Sequence, residues 1–159
     1  MSKTTPATLA LAKAGVSFTT ATYDYDPTAE RVGLQAAEAL GVPASMVLKT
    51  LMAEVDGKPV CAIVPSDDEV SMKKLAAAFG GKSANMMKPD AAERLTGYKV
   101  GGISPFGQRK QVPAAVEEEA LLNDEVFLNG GQRGLQVKLK PADLAAALGA
   151  KIVPLVAEK

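Results

Sequence analysis

Histidine is absent from all 159 residues. Without it no Ser-His-Asp or Cys-His catalytic arrangement can form, and the usual zinc sites lose their commonest ligand. Acid–base chemistry must then rest on lysine, tyrosine, carboxylates, the backbone or the substrate itself. Cysteine occurs once, at Cys61, so no internal disulfide can form. Its setting, the apolar run PVCAIV, reads as core and makes the thiol an inert packing group. No apolar stretch approaches the ~20 residues that a membrane-spanning helix needs. The N-terminal MSKTTPATLALAKAG has too short an apolar stretch, and too regular a helical pattern, for a signal peptide. A cytoplasmic protein is expected, with no metal, no cofactor and no membrane attachment.

What is present suits one globular domain over residues 1–159. Hydrophobic residues make up 47% and charged residues 23%, enough apolar material for a single core. Net charge is zero, but the charge is segregated. Between Val70 and Val112 stand Lys73, Lys74, Lys82, Lys88, Arg94, Lys99, Arg109 and Lys110. Only Asp90 and Glu93 oppose these eight, a local charge of +6. Arg133, Lys138 and Lys140 add three cations. Solvated helix faces account for such a run on their own; gathered on one face, it would attract a polyanion such as RNA. The acids Glu117, Glu118 and Glu119 have no metal-ligand spacing and read as a solvated helix start.

Short helices and strands mix along the chain without a strict βαβ alternation. Thr5-Pro6 opens a helix that Gly15 closes. Ser17 to Tyr23 reads as a strand, Leu34 to Leu40 as a helix and Met46 to Val55 as a strand. Asp56-Gly57 turns that strand into Pro59 to Val64. A helix from Met72 to Phe79 follows its cap Ser71, then a weak strand from Lys82 to Met86 and a helix from Pro89 to about Gly97. Val112 to Val116 is the next strand. Glu125 to Leu128 and Leu135 to Leu139 form a hairpin about Asn129-Gly130-Gly131. A helix from Pro141 to Leu148 and a strand at Ile152-Val153 complete the chain. The fold expected is α+β: a curved mixed sheet or incomplete barrel surrounded by short helices.

Three segments carry candidate chemistry. GGKS, Gly80 to Ser83, has the ending of a phosphate-binding loop, but residue 76 is alanine where glycine is required and a helix precedes it, so it is rejected. Lys49 lies in MVLKTLM, one cation among apolar residues. Alternation puts it on the face of Val47 and Leu51, either as an edge lysine that blocks aggregation or as a lysine pointing into a cavity. The run GYKVGGISPFGQRK, Gly97 to Lys110, sets two glycines before Ser104-Pro105. Backbone there can approach a ligand closely and aim N–H groups at an oxyanion, or simply form a surface turn.

These segments occur with ATYDYDP at Ala21 to Pro27, LKTL at Leu48 to Leu51, LTGYKVGGISPFGQRK at Leu95 to Lys110 and NGGQRGLQV at Asn129 to Val137. In that order the set closely resembles the YbaK family, the cysteinyl-tRNA-Pro deacylases of the prolyl-tRNA editing superfamily. Its GxxxP motif falls at Gly101 and Pro105. The resemblance implies the fold of that family and trans-editing of mischarged cysteinyl-tRNA-Pro, with the substrate thiol attacking its own ester. It implies catalytic roles for Lys49, electrostatic toward the terminal adenosine phosphate or the carbonyl oxygen, and for Gly101 and Gly102, which present N–H groups to the ester. Tyr23, Thr50, Ser104, Pro105, Gly130, Gly131 and Arg133 would border the substrate. Partners implied are the tRNA acceptor end and prolyl-tRNA synthetase. The chain departs from the family in lacking a histidine before Tyr23 and in carrying Gln136 where some members have aspartate. A deacylase for alanyl- or seryl-tRNA and a non-catalytic module that binds the tRNA end remain as rival readings.

Overall fold

The computed structural model describes residues 4–26, 28 and 32–158. Helix α1 (Pro6–Lys13) starts where the sequence places it. Thr5 and Thr8 accept each other's backbone N–H, a reciprocal cap that satisfies two otherwise orphaned donors. The order continues with β1 (Thr19–Thr22), α2 (Val32–Leu40), β2 (Leu48–Val55), β3 (Lys58–Pro65), α3 (Met72–Ala78), β4 (Ala84–Met86) and α4 (Pro89–Thr96). After a long irregular segment come β5 (Ala114–Glu117), β6 (Val126–Asn129), β7 (Leu135–Leu139), α5 (Pro141–Leu148) and β8 (Lys151–Val153).

Two open sheets result. The larger has the order β4-β2-β3-β5-β8, with β2 antiparallel to both β3 and β4, and β5 parallel to β3 and β8. The smaller, β1-β7-β6, is antiparallel throughout. A parallel bridge between Val47 and Phe127 joins them just before β2 begins. The α+β class and the mixed, incompletely closed sheet agree with the expectation from sequence.

Three apolar clusters follow from strand alternation. Leu48, Met52, Cys61 and Ile63 of the larger sheet meet Val126, Leu128, Val137 and Leu139 of the smaller, with Leu11 and Leu144 from α1 and α5. On the other face of the larger sheet, Ala53, Val55, Val60, Ala62 and Val64 receive Leu75 and Ala76 of α3. Ala36 and Ala37 of α2 cover Val47 and Phe127 at the join between sheets. Each fully buried Leu or Val in these layers contributes about 1.5–3 kcal/mol.

Four local expectations change. β1 stops at Thr22, leaving Tyr23 just beyond it. β2 starts at Leu48, because Ala44–Met46 wind a 3-10 turn after Pro43. The weak strand shortens to Ala84–Met86, because the N–H groups of Lys82 and Ser83 turn to the Asp56 carboxylate at 3.1–3.2 Å. The GGKS glycines thus shape a nest for the protein's own carboxylate, in keeping with its rejection as a phosphate loop. Glu117 is not solvated. It ends β5 only 3% exposed and takes N–H bonds from Glu119, Leu155 and Val156 at 2.9, 2.7 and 3.0 Å. Three donors make that burial tolerable.

Candidate active site

The glycine-rich run is an irregular segment between α4 and β5, not a turn between strands; Tyr98, Gly102 and Ser104 to Phe106 are buried, while Lys99, Val100 and the two ends are exposed. Tyr98 donates its hydroxyl to Phe106 O at 2.6 Å, and Gln108 and Gln111 donate to the carbonyls of Ser104 and Pro105 at 3.0 and 3.1 Å. Ser104 is fully buried, and its Oγ accepts the Phe106 N–H. Ser104 and Pro105, expected against the substrate, therefore act as the internal frame of the loop. Burial pushes the Tyr98 phenol up to about 12, so it remains a hydrogen-bond donor at neutral pH.

At the tip, Gly101 has φ +91°, a conformation other residues rarely adopt. A Cβ there would lie 2.6 Å from Tyr25 Oη. Its carbonyl receives Asn129 Nδ2 at 3.0 Å. No acceptor for the Gly101 N–H stands among the described residues. Gly102 differs. Its N–H closes a turn onto Lys99 O at 2.8 Å, so it is not the ester donor expected. What Gly102 contributes is a missing Cβ, whose place lies 2.9 Å from Arg133 N.

The β6–β7 turn closes on this loop. Asn129 Oδ1 accepts the N–H groups of Gly131 and Gln132 at 2.7 and 3.2 Å, so one side chain both shapes its turn and grips Gly101. Arg133 Nε donates to Val100 O at 2.9 Å, and its guanidinium lies 5.5 Å from the Tyr25 ring centroid. Gly130 receives the Thr5 hydroxyl on its carbonyl, and Gly131 abuts Tyr98, where a Cβ would come within 2.8 Å. These two glycines seat the turn against α1.

Tyr23 enters from β1. Its N–H bonds Gly134 O at 2.9 Å, beside Gln136, which pairs with Ala21. Tyr23 Oη and Gln136 Oε1 are both buried without a hydrogen bond of good geometry, although the Gln136 side chain stands close enough to Tyr23 to favour its ionised form in part. Burial, reinforced by nearby Tyr25, raises the Tyr23 phenol above its usual range, so it stays protonated at neutral pH.

Lys49 reaches the same neighbourhood from the larger sheet. Two residues past the Val47–Phe127 bridge stand Lys49 on one strand and Asn129 on the other. Lys49 is half-buried, opposite Val64. Thr50, expected beside it, faces the other way. Alternation groups it with Leu48 and Met52, and its Oγ1 is buried without a described partner. The structure thus sets Gly101 against Tyr25, Asn129 and Arg133, with Lys49 placed beside Asn129 by strand register and Tyr23 just beyond β1, while Ser104 and Pro105 are turned into the loop and Thr50 to the other face of β2. Asn129 and Tyr25 join the site without a signal in the sequence. Asn129 reads there as turn chemistry alone, and Tyr25 is masked by Tyr23 two residues earlier.

The chain has counterparts among known proteins. The profile of the aminoacyl-tRNA editing domain matches residues 27–147. Over 107 residues the chain is 40% identical to an Enterococcus faecalis protein, EbsC, provisionally named a Cys-tRNA(Pro)/Cys-tRNA(Cys) deacylase. That match covers 66% of this chain and 65% of EbsC. A proline–tRNA ligase of Geobacter metallireducens is 35% identical over 92 residues, which are 58% of this chain and 16% of the ligase. Among solved structures, one described as a candidate trans-editing enzyme for prolyl tRNA synthetase superposes with a TM-score of 0.82 at 24% identity, covering 96% of each chain. The hypothetical protein APE2540 gives 0.86 at 22% identity, over 96% of this chain and 100% of that one. At such identities the two structures speak for the fold.

Proposed function

Because the chain belongs to the aminoacyl-tRNA editing domain family, we propose that it hydrolyses mischarged aminoacyl-tRNA, with cysteinyl-tRNA-Pro as its substrate. Cysteine and proline are close in size, so a synthetase pocket separates them poorly and a second, hydrolytic selection is required. The names of EbsC and of the ligase relatives support this substrate. The whole chain is read as one editing domain, working in the cytoplasm where tRNA is charged.

The observation that carries the reading is a gathered site without a protein nucleophile. Cys61 is wholly buried, and burial pushes its thiol up to about 12, far from a reactive thiolate. Histidine is absent. The resemblance to the cysteinyl-tRNA deacylases supplies the nucleophile of this reading, the substrate's own thiol, and a site with neither histidine nor a reactive cysteine agrees with it. The substrate's sulfur attacks the ester carbonyl carbon, forming a C–S bond. The bond from that carbon to the ribose oxygen breaks, and the thiol proton ends on the released ribose hydroxyl. The products are free tRNA and a cyclic thiolactone, which water then opens to cysteine.

The protein's part is placement and charge. Lys49 supplies a positive charge toward the carbonyl oxygen as negative charge develops. The Gly101 N–H adds a donor to the same oxygen. Tyr23 Oη and Gln136 Oε1 line the recess that receives the cysteinyl group. Contacts to phosphates and to a terminal adenosine carry little sequence information. Prolyl-tRNA synthetase is therefore the partner that selects the tRNA.

The test is deacylation of a panel of aminoacyl-tRNAs with trapping of the product. Cysteinyl-tRNA should react fastest, seryl-tRNA much more slowly because its alcohol is the weaker nucleophile, and alanyl-tRNA slowest. Thiolactone should precede free cysteine. Alanyl-tRNA cleaved as fast as cysteinyl-tRNA would replace self-attack by an activated water. Binding without hydrolysis of any ester would make the protein a non-catalytic module.

A further inference from the structure

The described cations do not all share one face. Lys74 bonds Glu158 and the Val156 carbonyl at 3.1 and 2.7 Å. Lys58 and Lys110 line a separate cleft of about 510 Å³ beside Asp56 and Phe79. Four others converge. A cleft of about 410 Å³ carries Arg94 and Arg109, and a second of about 370 Å³ runs past Gly102 to Arg133. The two meet at Gly97, Tyr98 and Lys99, which line both.

The groove so formed has exposed backbone at Gly97, where a polymer can lie close. Arg109 is laid along it, its Nε 3.5 Å from where a Gly97 Cβ would be. Two acids, Asp90 and Glu93, line the first cleft. Both are engaged with backbone: Glu93 Oε2 accepts the Val100 N–H at 2.8 Å, and Asp90 Oδ1 accepts the Ala91 N–H at 3.0 Å. Arg94, Lys99 and Arg109 are exposed and join no salt bridge among the described residues. Arg133 commits Nε to Val100 O and keeps its terminal nitrogens for another acceptor. The groove ends at the Gly101-Gly102 loop that Asn129 holds.

We propose that this groove, from Arg94 and Arg109 through Lys99 to Arg133, is the track on which the sugar-phosphate backbone of the tRNA acceptor end lies. The inference rests on the editing reading above and adds the direction of approach. The stem side of the RNA lies by α4, and the 3′ end is delivered over Lys99 to Gly101. Planar guanidinium groups suit phosphate oxygens, and the spacing of four cations along a groove suits a chain of phosphates better than one small anion.

The experiment compares the wild-type protein with Lys99→Ala, Arg109→Ala and the double variant on two substrates. One is cysteinyl-tRNA; the other is the cysteinyl ester of adenosine, which has no phosphate. Each single variant should raise KM for the tRNA roughly fivefold. Each should also lower the log–log salt slope of tRNA binding by about 0.7–0.9. Hydrolysis of the adenosine ester should not change. Lys58→Ala and Lys110→Ala should behave as wild type on both substrates. An unchanged salt slope in the groove variants overturns the track, as does an equal loss in the Lys58 and Lys110 variants. So does an equal loss on the phosphate-free ester. If the wild-type protein hydrolyses neither substrate, but tRNA binding shows the expected slopes, the track stands and the editing reading fails.

Discussion

Asn129 donates to the Gly101 carbonyl at 3.0 Å while its Oδ1 accepts the Gly131 and Gln132 N–H groups at 2.7 and 3.2 Å. Donor and acceptor ends of one amide thus serve two loops. Asn129→Asp keeps the acceptor and loses the donor. It should unfold near the wild-type temperature, yet lose roughly 10–100-fold in kcat as the Gly101 tip drifts. Asn129→Ala should lose activity and also about 1–3 kcal/mol of stability, because two N–H groups lose their acceptor. Thermal unfolding beside single-turnover deacylation separates the two. An Asn129→Asp variant with the wild-type kcat would show that the grip on Gly101 is irrelevant to the reaction.

Lys49→Ala should remove most deacylation, roughly 10²–10³-fold in kcat, as expected when a charge aimed at a developing oxyanion is lost. Lys49 is half-buried on a strand whose packing comes from its apolar neighbours, so circular dichroism should show a native fold. Full activity in the folded variant would show that Lys49 takes no part in the reaction.

Gly101→Ala should be severe for a steric reason that can be relieved in part. The added methyl carbon would lie 2.6 Å from Tyr25 Oη and 3.2 Å from Tyr25 Cζ. Pairing it with Tyr25→Phe removes the closer contact. The double variant should recover some activity over Gly101→Ala, but not all, because φ +91° still costs about 1–3 kcal/mol for alanine. No recovery at all would locate the whole defect in backbone strain.

Cys61 gives a prediction in pH. Burial holds its thiol at about 12, against 9.0 for the free group. Above pH 9 the unfolded chain therefore binds fewer protons here than the folded one, and stability must fall as pH rises. The contribution is whole below pH 9 and declines between 9 and about 12 at up to ~1.4 kcal/mol per pH unit. Cys61→Ala should flatten the first part of that decline in denaturant titrations, leave deacylation intact and abolish slow labelling by thiol reagents. A variant that loses kcat while remaining folded would contradict the substrate-thiol mechanism.

Glu117→Ala should destabilise the fold by at least ~3 kcal/mol, since three backbone donors lose one carboxylate. The folded fraction should deacylate at the wild-type rate. A selective loss of activity would place Glu117 in the reaction after all.

What the sequence made legible was local. Asp56-Gly57 turns β2 into β3 because both residues accept positive φ, 51° and 82°. The alternation around Lys49 correctly groups it with Val47 and Leu51, and the same rule turns Thr50 away from it. What escaped was long-range. The Asn129 bond to Gly101 spans 28 residues, and the Glu117 bonds to Leu155 and Val156 span 38 and 39. A run of three glutamates looks solvated until a distant segment supplies donors. The Gly102 N–H looks free for catalysis until a turn from Lys99 consumes it.

The Val47–Phe127 bridge makes the proposed pocket a pair of jaws. Lys49 belongs to the larger sheet, while Tyr23, Asn129, Gln136 and Arg133 belong to the smaller one or its turns. The gap between them is set at the seam, where Ala36 and Ala37 press on residues 47 and 127. If the proposed editing site is right, its selectivity is set in part by packing that the substrate never touches. On the proposed reading, a substitution at Ala36 or Ala37 would alter which aminoacyl groups the site accepts without touching the substrate.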